Sequence, residues 1–307
     1  MKFLFVGLGS IATKHIKDLV EITENRQIPC EIYVLRREIT ELPRELISYK
    51  ITQVTDCGED SYDVIFVTNP TTLHYKTLEK LKGKAKYYFI EKPIFENCLY
   101  DYKQLGINEK NTYIAAPLRH SETYKQLKQI VESHKVFSAR VICSSYLPGW
   151  RPNIDYRKNY SAIKKLGGGV SLDLIHEIDY VTDLFGLPLK VLNSHGKYSD
   201  LEIDSDDLSL YIMKYDNLLC EVHLDYFGQD YQRKCELYTN EGNYIADFYN
   251  QTITTPSSVI DCVDNSSNLH NEMSYFLDFI TGKEDVNLNH PENAFKVLKI
   301  ALGNCVE

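Results

Sequence analysis

The sequence predicts an α/β fold in two parts: a doubly wound parallel sheet first, then an α/β region built on antiparallel strands. Three observations predict it. Apolar strand-like segments alternate with helical patterns up to about residue 116, as βαβ units of a parallel sheet require. The first of these strands runs straight into a glycine-containing turn, Gly7-Leu8-Gly9-Ser10-Ile11-Ala12. Beyond residue 205 the pattern changes to segments of alternating polarity joined by short turns, the pattern of antiparallel strands with one covered face.

Lys2–Gly7 reads as a strand covered on both faces, because Phe3, Leu4, Phe5 and Val6 follow one another without alternation. From Ser10 to Ile22 the spacing is helical, with Ile11, Ile16, Leu19, Val20 and Ile22 forming an apolar stripe. Further strands are expected at Glu31–Leu35, Ile51–Val54, Asp63–Thr68, Tyr87–Ile90 and Thr112–Ala116, with helices at Thr72–Lys82 and Glu96–Leu105. A strand over Val136–Tyr146 precedes a long irregular stretch, and a helix is expected from Ser171 to Phe185. Ser205–Lys214, Leu218–Tyr226, Tyr231–Thr239 and Tyr244–Phe248 then read as antiparallel strands, with Tyr215-Asp216-Asn217 and Asn240-Glu241-Gly242-Asn243 as turns. Leu269–Thr281 and Pro291–Leu302 are amphipathic helices, with Pro291 placed where a helix start tolerates it. The expected division is a domain over 1–118 and a second over 119–307, with room for the C-terminal helices to pack back on the first.

A chain of 307 residues, 43% hydrophobic and 25% charged, can bury a substantial core. Its net charge of −9 gives no electrostatic reason to expect nucleic acid as a partner. No stretch approaches the roughly 18 apolar residues of a membrane span. The opening lacks the pattern of a secretory signal, since one Lys precedes an apolar run that Gly7 and Gly9 interrupt. The eight cysteines (30, 57, 98, 143, 220, 235, 262 and 305) form no CxxC pair and no Cys/His cluster. That fits reduced thiols in the cytoplasm and gives no reason to expect a metal.

In the GxGxxA turn, Gly7 allows the tight bend, Gly9 lets a pyrophosphate approach the backbone, and Ala12 permits close helix–strand packing. The phosphates would sit on the free amides of Ser10, Ile11 and Ala12, at a helix N-terminus whose dipole favours negative charge. The end of the second strand, Tyr33–Arg37, carries no acidic side chain for a ribose 2′-OH, whereas Arg36 and Arg37 can bind a 2′-phosphate or stay solvated. NADP is therefore favoured over NAD.

Three further stretches complete the pattern: "VTNPTTLHYK" (67–76), "IEKPIF" (90–95) and "GGGVSLDLIHEIDY" (167–180). In this order, after a GxGxxA start, the chain resembles the Gfo/Idh/MocA family of sugar and polyol oxidoreductases over essentially its whole length. The resemblance implies an N-terminal Rossmann domain binding NAD(P). A second domain with a large, mostly antiparallel sheet follows, and cofactor and substrate meet in the cleft between the two. It implies that Lys92 of Glu91-Lys92-Pro93 lies beside the nicotinamide and substrate hydroxyl, that Glu91 interacts with the cofactor ribose, and that the peptide before Pro93 is cis. Thr68 and Asn69 are candidates for cofactor contacts at the carboxyl edge of the sheet, and His74 for either a cofactor contact or a packing role. Gly167–Gly169 reads as a flexible entry into the helix carrying Asp173 and His176, which at i, i+3 share a face. His176 would exchange a proton with the substrate hydroxyl, and Asp173 would orient it or contact substrate. The family commonly spaces this aspartate and histidine by four residues; here the interval is three.

The stretch 144–169 is aromatic and polar, as a binding loop would be. Trp150, Arg151, Asp155, Arg157 and Tyr160, with Arg119 and His120 nearby in the expected cleft, suit a sugar bearing a carboxylate or phosphate. They suit an interdomain or subunit contact equally. The stretch looks like that of family members in bacterial surface-sugar metabolism, which points to an amino-sugar or nonulosonic-type substrate. The resulting expectation is an NAD(P)-dependent oxidoreductase acting on a sugar-type small molecule, forming a homodimer or homotetramer through its C-terminal sheet. The alternative is a dinucleotide-binding regulatory or structural protein that has lost catalysis.

Overall fold

The structure, a computed structural model, describes residues 1–303. Its elements in chain order are β1 (Lys2–Val6), α1 (Ser10–Asn25), β2 (Glu31–Leu35), β3 (Ile51–Val54), β4 (Tyr62–Val67), α2 (His74–Lys80), β5 (Ala85–Ile90) and β6 (Thr112–Ile114). There follow α3 (Glu122–Ser133), β7 (Val136–Ser144), α4 (Val170–Asp173), α5 (His176–Phe185), β8 (Lys190–Gly196), β9 (Leu208–Lys214), β10 (Leu219–Asp225) and β11 (Gln232–Thr239). The last are β12 (Gly242–Asp247), β13 (Thr252–Thr254), β14 (Val259–Asp261), α6 (Asn268–Ile280) and α7 (Pro291–Ala301). They form two units. The first comprises Met1–Pro117 and Ser266–Phe295; the second comprises Leu118–Asn265 and the chain from Lys296 on.

The first unit holds a six-stranded parallel sheet in the order β3-β2-β1-β4-β5-β6. The central strands read as unbroken apolar runs because both their faces are covered: Phe3, Leu4 and Phe5 of β1 and Val64–Val67 of β4 are fully buried. One face packs on α1 through Ala12, Ile16, Leu19 and Ile22, and on α6 through Met273, Phe276, Leu277 and Ile280. Each of the larger of these side chains contributes about 1.5–3 kcal/mol when fully buried. The returning segment is pinned as well as packed. Arg26, which caps the C-terminus of α1, donates to both carboxylate oxygens of Asp278 (2.9 and 3.1 Å), and Glu272 accepts from Tyr113 Oη (3.0 Å) and the Ala116 amide (2.5 Å). Asn287 and Asn289 donate their side-chain amides to the carbonyls of Thr112 (2.7 Å) and Ile114 (3.1 Å) along the β6 edge.

The expected helix over Glu96–Leu105 does not form. Asn97 and Asp101 accept from the backbone amides of Leu99 and Lys103, local bonds that compete with a helical ladder. Only Tyr102–Leu105 makes a 3₁₀ turn. The chain there is held by aromatic stacking, with Tyr75 and Tyr100 at 4.3 Å between ring centroids.

The second unit is built on eight strands in the order β14-β13-β12-β11-β7-β10-β9-β8, antiparallel throughout except for β7 with β10. Alternation is plain in β9, where Ser209, Tyr211 and Met213 are buried and Leu210, Ile212 and Lys214 exposed. The helices α3, α4 and α5 pack on this sheet. Beyond the expected elements, the structure adds α3, β8, β13 and β14. The single helix expected over Ser171–Phe185 is two: α4 ends at Asp173 and α5 begins at His176. Glu177 and Asp179 in the first turn of α5 suit a new helix start, where acidic side chains meet the positive dipole end.

Within Gly167–Gly169, the last two glycines are sites of close approach. A Cβ on Gly168 would lie 2.1 Å from the Tyr160 carbonyl oxygen, and one on Gly169 (φ +135°) 2.1 Å from Asp206 Oδ1. That carboxylate instead caps α4, accepting from the Ser171 amide (3.0 Å) and hydroxyl (2.7 Å). The seven described cysteines are free thiols, and Cys305 lies outside the described residues. No helix among the described residues is long and apolar enough to cross a membrane. No metal-holding cluster occurs among them.

Candidate active site

In the first unit the sheet order reverses at β1, which lies between β2 and β4, and here an open α/β sheet binds ligands at the carboxyl ends of its strands. Gly7 leaves β1 with φ +88°, and a Cβ on it would press on Asn69 at 3.2 Å. Thr68 Oγ1 donates to the carbonyls of Val6 (3.0 Å) and Gly7 (3.3 Å), so Thr68 locks the glycine turn to β4. Asn69 donates to Thr77 Oγ1 (2.7 Å), while its Oδ1 is buried with no hydrogen-bond partner. The helix α1 starts just after Gly9, its N-cap residue, with no side-chain cap and no acidic residue in its first turn. No atom would lie within 4 Å of a Cβ on Gly9. An uncapped helix N-terminus, open space above Gly9 and an orphaned amide oxygen fit a dinucleotide whose pyrophosphate meets the amides of Ser10, Ile11 and Ala12.

His74 is fully used by the backbone: Nε2 lies 2.9 Å from the Asn69 carbonyl and Nδ1 3.1 Å from that of Ile94. Burial pushes its pKa down despite those two carbonyls, so one of the contacts faces a nitrogen without a proton. The residue ties the turn after β4 to the turn after β5. There the Lys92–Pro93 peptide is cis, with Lys92 half-buried. Glu91 Oε1 stands 2.6 Å from Nε2 of His15, a fully buried residue that sequence reasoning passed over. Its signal was a histidine on the apolar stripe of α1, where a buried imidazole requires a partner. At the end of β2, Arg36 donates to Gln53 Oε1 (3.0 Å) and Arg37 is exposed.

In the second unit the centre is Asp173. Its two carboxylate oxygens accept from Tyr160 Oη (2.9 Å) and Tyr226 Oη (2.5 Å). Burial, together with the charge of Asp173, pushes both phenols above their ordinary pKa, so both remain protonated donors. Trp150 donates its indole N–H to Ser145 Oγ (2.5 Å) and meets Tyr226 edge-on at 5.3 Å. His176 opens α5 and is half-buried, whereas Glu177 to Val181 after it are buried. Asp173 and His176 do not lie on one continuous helix: one ends α4 and the other begins α5.

Arg119 is engaged within its own unit. Its guanidinium holds Asp179 bidentately (2.8 Å twice) and Asp183 (2.8 Å). Lys128 also meets Asp183 at 2.9 Å. Adjacent His120 is buried, and burial with the charge of Arg119 pulls its pKa down to about 3. Arg157 pairs with Asp155 (2.8 Å) and Glu202 (2.6 Å), and Arg151 is exposed.

A parallel sheet of this order, with a glycine turn and an open helix N-terminus at its switch point, defines a dinucleotide-binding protein. Residues 1–106 match the oxidoreductase family with an NAD-binding Rossmann fold, and residues 124–245 match the GFO/IDH/MocA C-terminal domain. The chain belongs to the Gfo/Idh/MocA family of oxidoreductases. No protein of curated function matches the sequence. Among solved structures, an oxidoreductase from Thermotoga maritima shares the fold at a TM-score of 0.81 and 18% identity, over 99% of this chain and 95% of that one. Scyllo-inositol dehydrogenase from Lactobacillus casei, solved with NAD(H) and scyllo-inositol, gives 0.75 and 18%, over 98% and 95%. UDP-N-acetylglucosamine 3-dehydrogenase from Acidithiobacillus ferrooxidans gives 0.74 and 16%, over 99% and 96%.

Proposed function

We propose that the protein moves a hydride between a nicotinamide and a hydroxyl-bearing carbon of a sugar or amino-sugar derivative. The observation that carries this reading is the phenol-held Asp173 close in sequence to the half-buried His176, in a chain whose first unit has the dinucleotide crevice. The nicotinamide, when bound, supplies the carbon that gives or takes the hydride. Lys92 polarises the substrate oxygen with its positive charge. His176 takes the hydroxyl proton or returns it. Asp173, fixed by two phenols, orients the histidine or a substrate hydroxyl. Trp150 and Arg151 offer a stacking face and a cation to the sugar. Arg36 and Arg37 favour a 2′-phosphorylated cofactor, NADP over NAD. Sugar and inositol substrates named for the structural relatives support the class, and the 144–169 stretch supports an amino sugar.

The test is oxidation of a panel of sugars, amino sugars and inositols with NADP and NAD. Lys92→Ala and His176→Ala are each expected to lower kcat by about 10²–10⁴-fold. Equal rates for wild type and both variants on every substrate would end the catalytic assignment. Nucleotide binding without turnover of any substrate would favour a regulatory protein of the same fold.

We further propose that the exposed face of the second sheet, where Leu192, Leu210, Ile212 and Leu219 are each more than a third exposed, pairs two copies of the chain.

A further inference from the structure

His15 lies on α1 a few residues beyond the glycine turn, and its side chain is fully buried, with its ring near those of Phe66 and Phe89. Its ring meets Phe89 edge-on at 5.1 Å. An imidazole in such surroundings is costly unless it is hydrogen-bonded. Only one nitrogen is: Nε2 lies 2.6 Å from Glu91 Oε1, and Nδ1 has no partner. This fixes the tautomer, because a proton on Nδ1 would be a buried donor without an acceptor. The proton therefore sits on Nε2 and is donated to the carboxylate. Burial works against ionised Glu91, but the hydrogen bond from His15, together with the positive charge of nearby Lys92, holds its pKa below the usual carboxylate range.

The two partners belong to opposite halves of the sheet. The helix carrying His15 follows β1 and leads into the β2–β3 half, while Glu91 directly follows β5 in the β4–β5–β6 half. In a sheet of this order each half takes one mononucleotide of a dinucleotide. The His15–Glu91 bond therefore crosses the switch point, from the helix that offers its amides to phosphate to the turn that carries Lys92.

We propose that His15 is a positioning residue that clamps the two halves of the dinucleotide crevice through Glu91 and thereby fixes the turn holding Lys92. The inference rests on the dinucleotide reading of this unit. Without the donor, the Glu91 carboxylate loses its anchor, and a ligand spanning both halves must order that turn at its own expense. A ligand confined to one half need not.

The experiment is calorimetric titration of the full chain with NADPH, NADH and ADP, the last probing one half alone. His15→Met is expected to weaken the better-bound dinucleotide about tenfold or more, the scale of one hydrogen bond to a charged group. ADP affinity stays within about twofold by the same reasoning. His15→Gln, whose amide can donate to Glu91, recovers most of the loss. Should His15→Met fail to fold, His15→Asn carries the same test, because its shorter amide stops short of Glu91. Equal losses for ADP and dinucleotide would mean a merely structural histidine and overturn the proposal, as would unchanged dinucleotide affinity. Wild-type protein that binds no dinucleotide would sink the reading of the crevice itself; wild-type binding matched by the variants would sink only the clamp.

Discussion

Replacing Tyr226 by Phe deletes one oxygen and keeps the ring that meets Trp150 edge-on at 5.3 Å. The hydroxyl is buried and donates at 2.5 Å to Oδ2 of Asp173, whose other oxygen accepts from Tyr160 at 2.9 Å. A hydrogen bond to a charged group contributes about 1.5–3 kcal/mol, and a buried oxygen left short of a donor adds its desolvation. Urea unfolding should therefore show Tyr226→Phe less stable by about 2 kcal/mol. The melting temperature should fall by roughly 4–8 °C if the second unit unfolds cooperatively. The cause can be isolated by removing the charge: in an Asp173→Asn background the same Tyr226→Phe change should cost only about 0.5–1 kcal/mol. A double-mutant cycle would then give a coupling of about 1 kcal/mol. If Tyr226→Phe costs the same in both backgrounds, or less than about 0.5 kcal/mol in the first, the phenol does not hold the carboxylate.

Three other outcomes follow from the geometry. Arg119→Met should leave Asp179 and Asp183 without their shared partner and cost about 3–5 kcal/mol, read as loss of soluble folded protein or a lower unfolding midpoint; a raised KM at unchanged stability would instead make Arg119 a substrate ligand. His120 has a folded pKa of about 3, below its unfolded value. The unfolded chain therefore takes up the proton first, and stability falls as pH drops from about 6.5 toward the folded value; His120→Gln should flatten that slope in unfolding curves taken across this range. Ile212→Glu on the exposed sheet face should shift the protein toward monomers in light scattering without lowering its melting temperature, and an unchanged mass would argue against pairing through that face.

The strands of the first unit were legible because a strand covered on both faces spells itself as an apolar run, as Phe3–Val6 and Val64–Val67 do. The glycine turn was legible because its constraint is on the backbone itself. Short exposed strands such as Val259–Asp261 carry no such signal: every residue there is exposed, and only pairing with the neighbouring strand defines it. The break between Asp173 and His176 was hidden because Leu172, Leu174 and Ile175 keep an apolar pattern through it. The use of Arg119 depended on partners some 60 positions away, which spacing does not reveal. The phenols on Asp173 come likewise from Tyr160, in an irregular loop, and from Tyr226, just past the end of β10.

The order in which the first unit is made differs from the order in which it can be finished. Its central strands emerge from the ribosome early, but α6 and the asparagines that bond along the β6 edge come more than 150 residues later. At about 5–20 residues per second, the nascent sheet waits many seconds with Phe66 and Phe89 lacking their Phe276 neighbour. Expressing residues 1–118 alone would make that interval permanent, which favours chaperone capture or aggregation over a usable nucleotide-binding fragment.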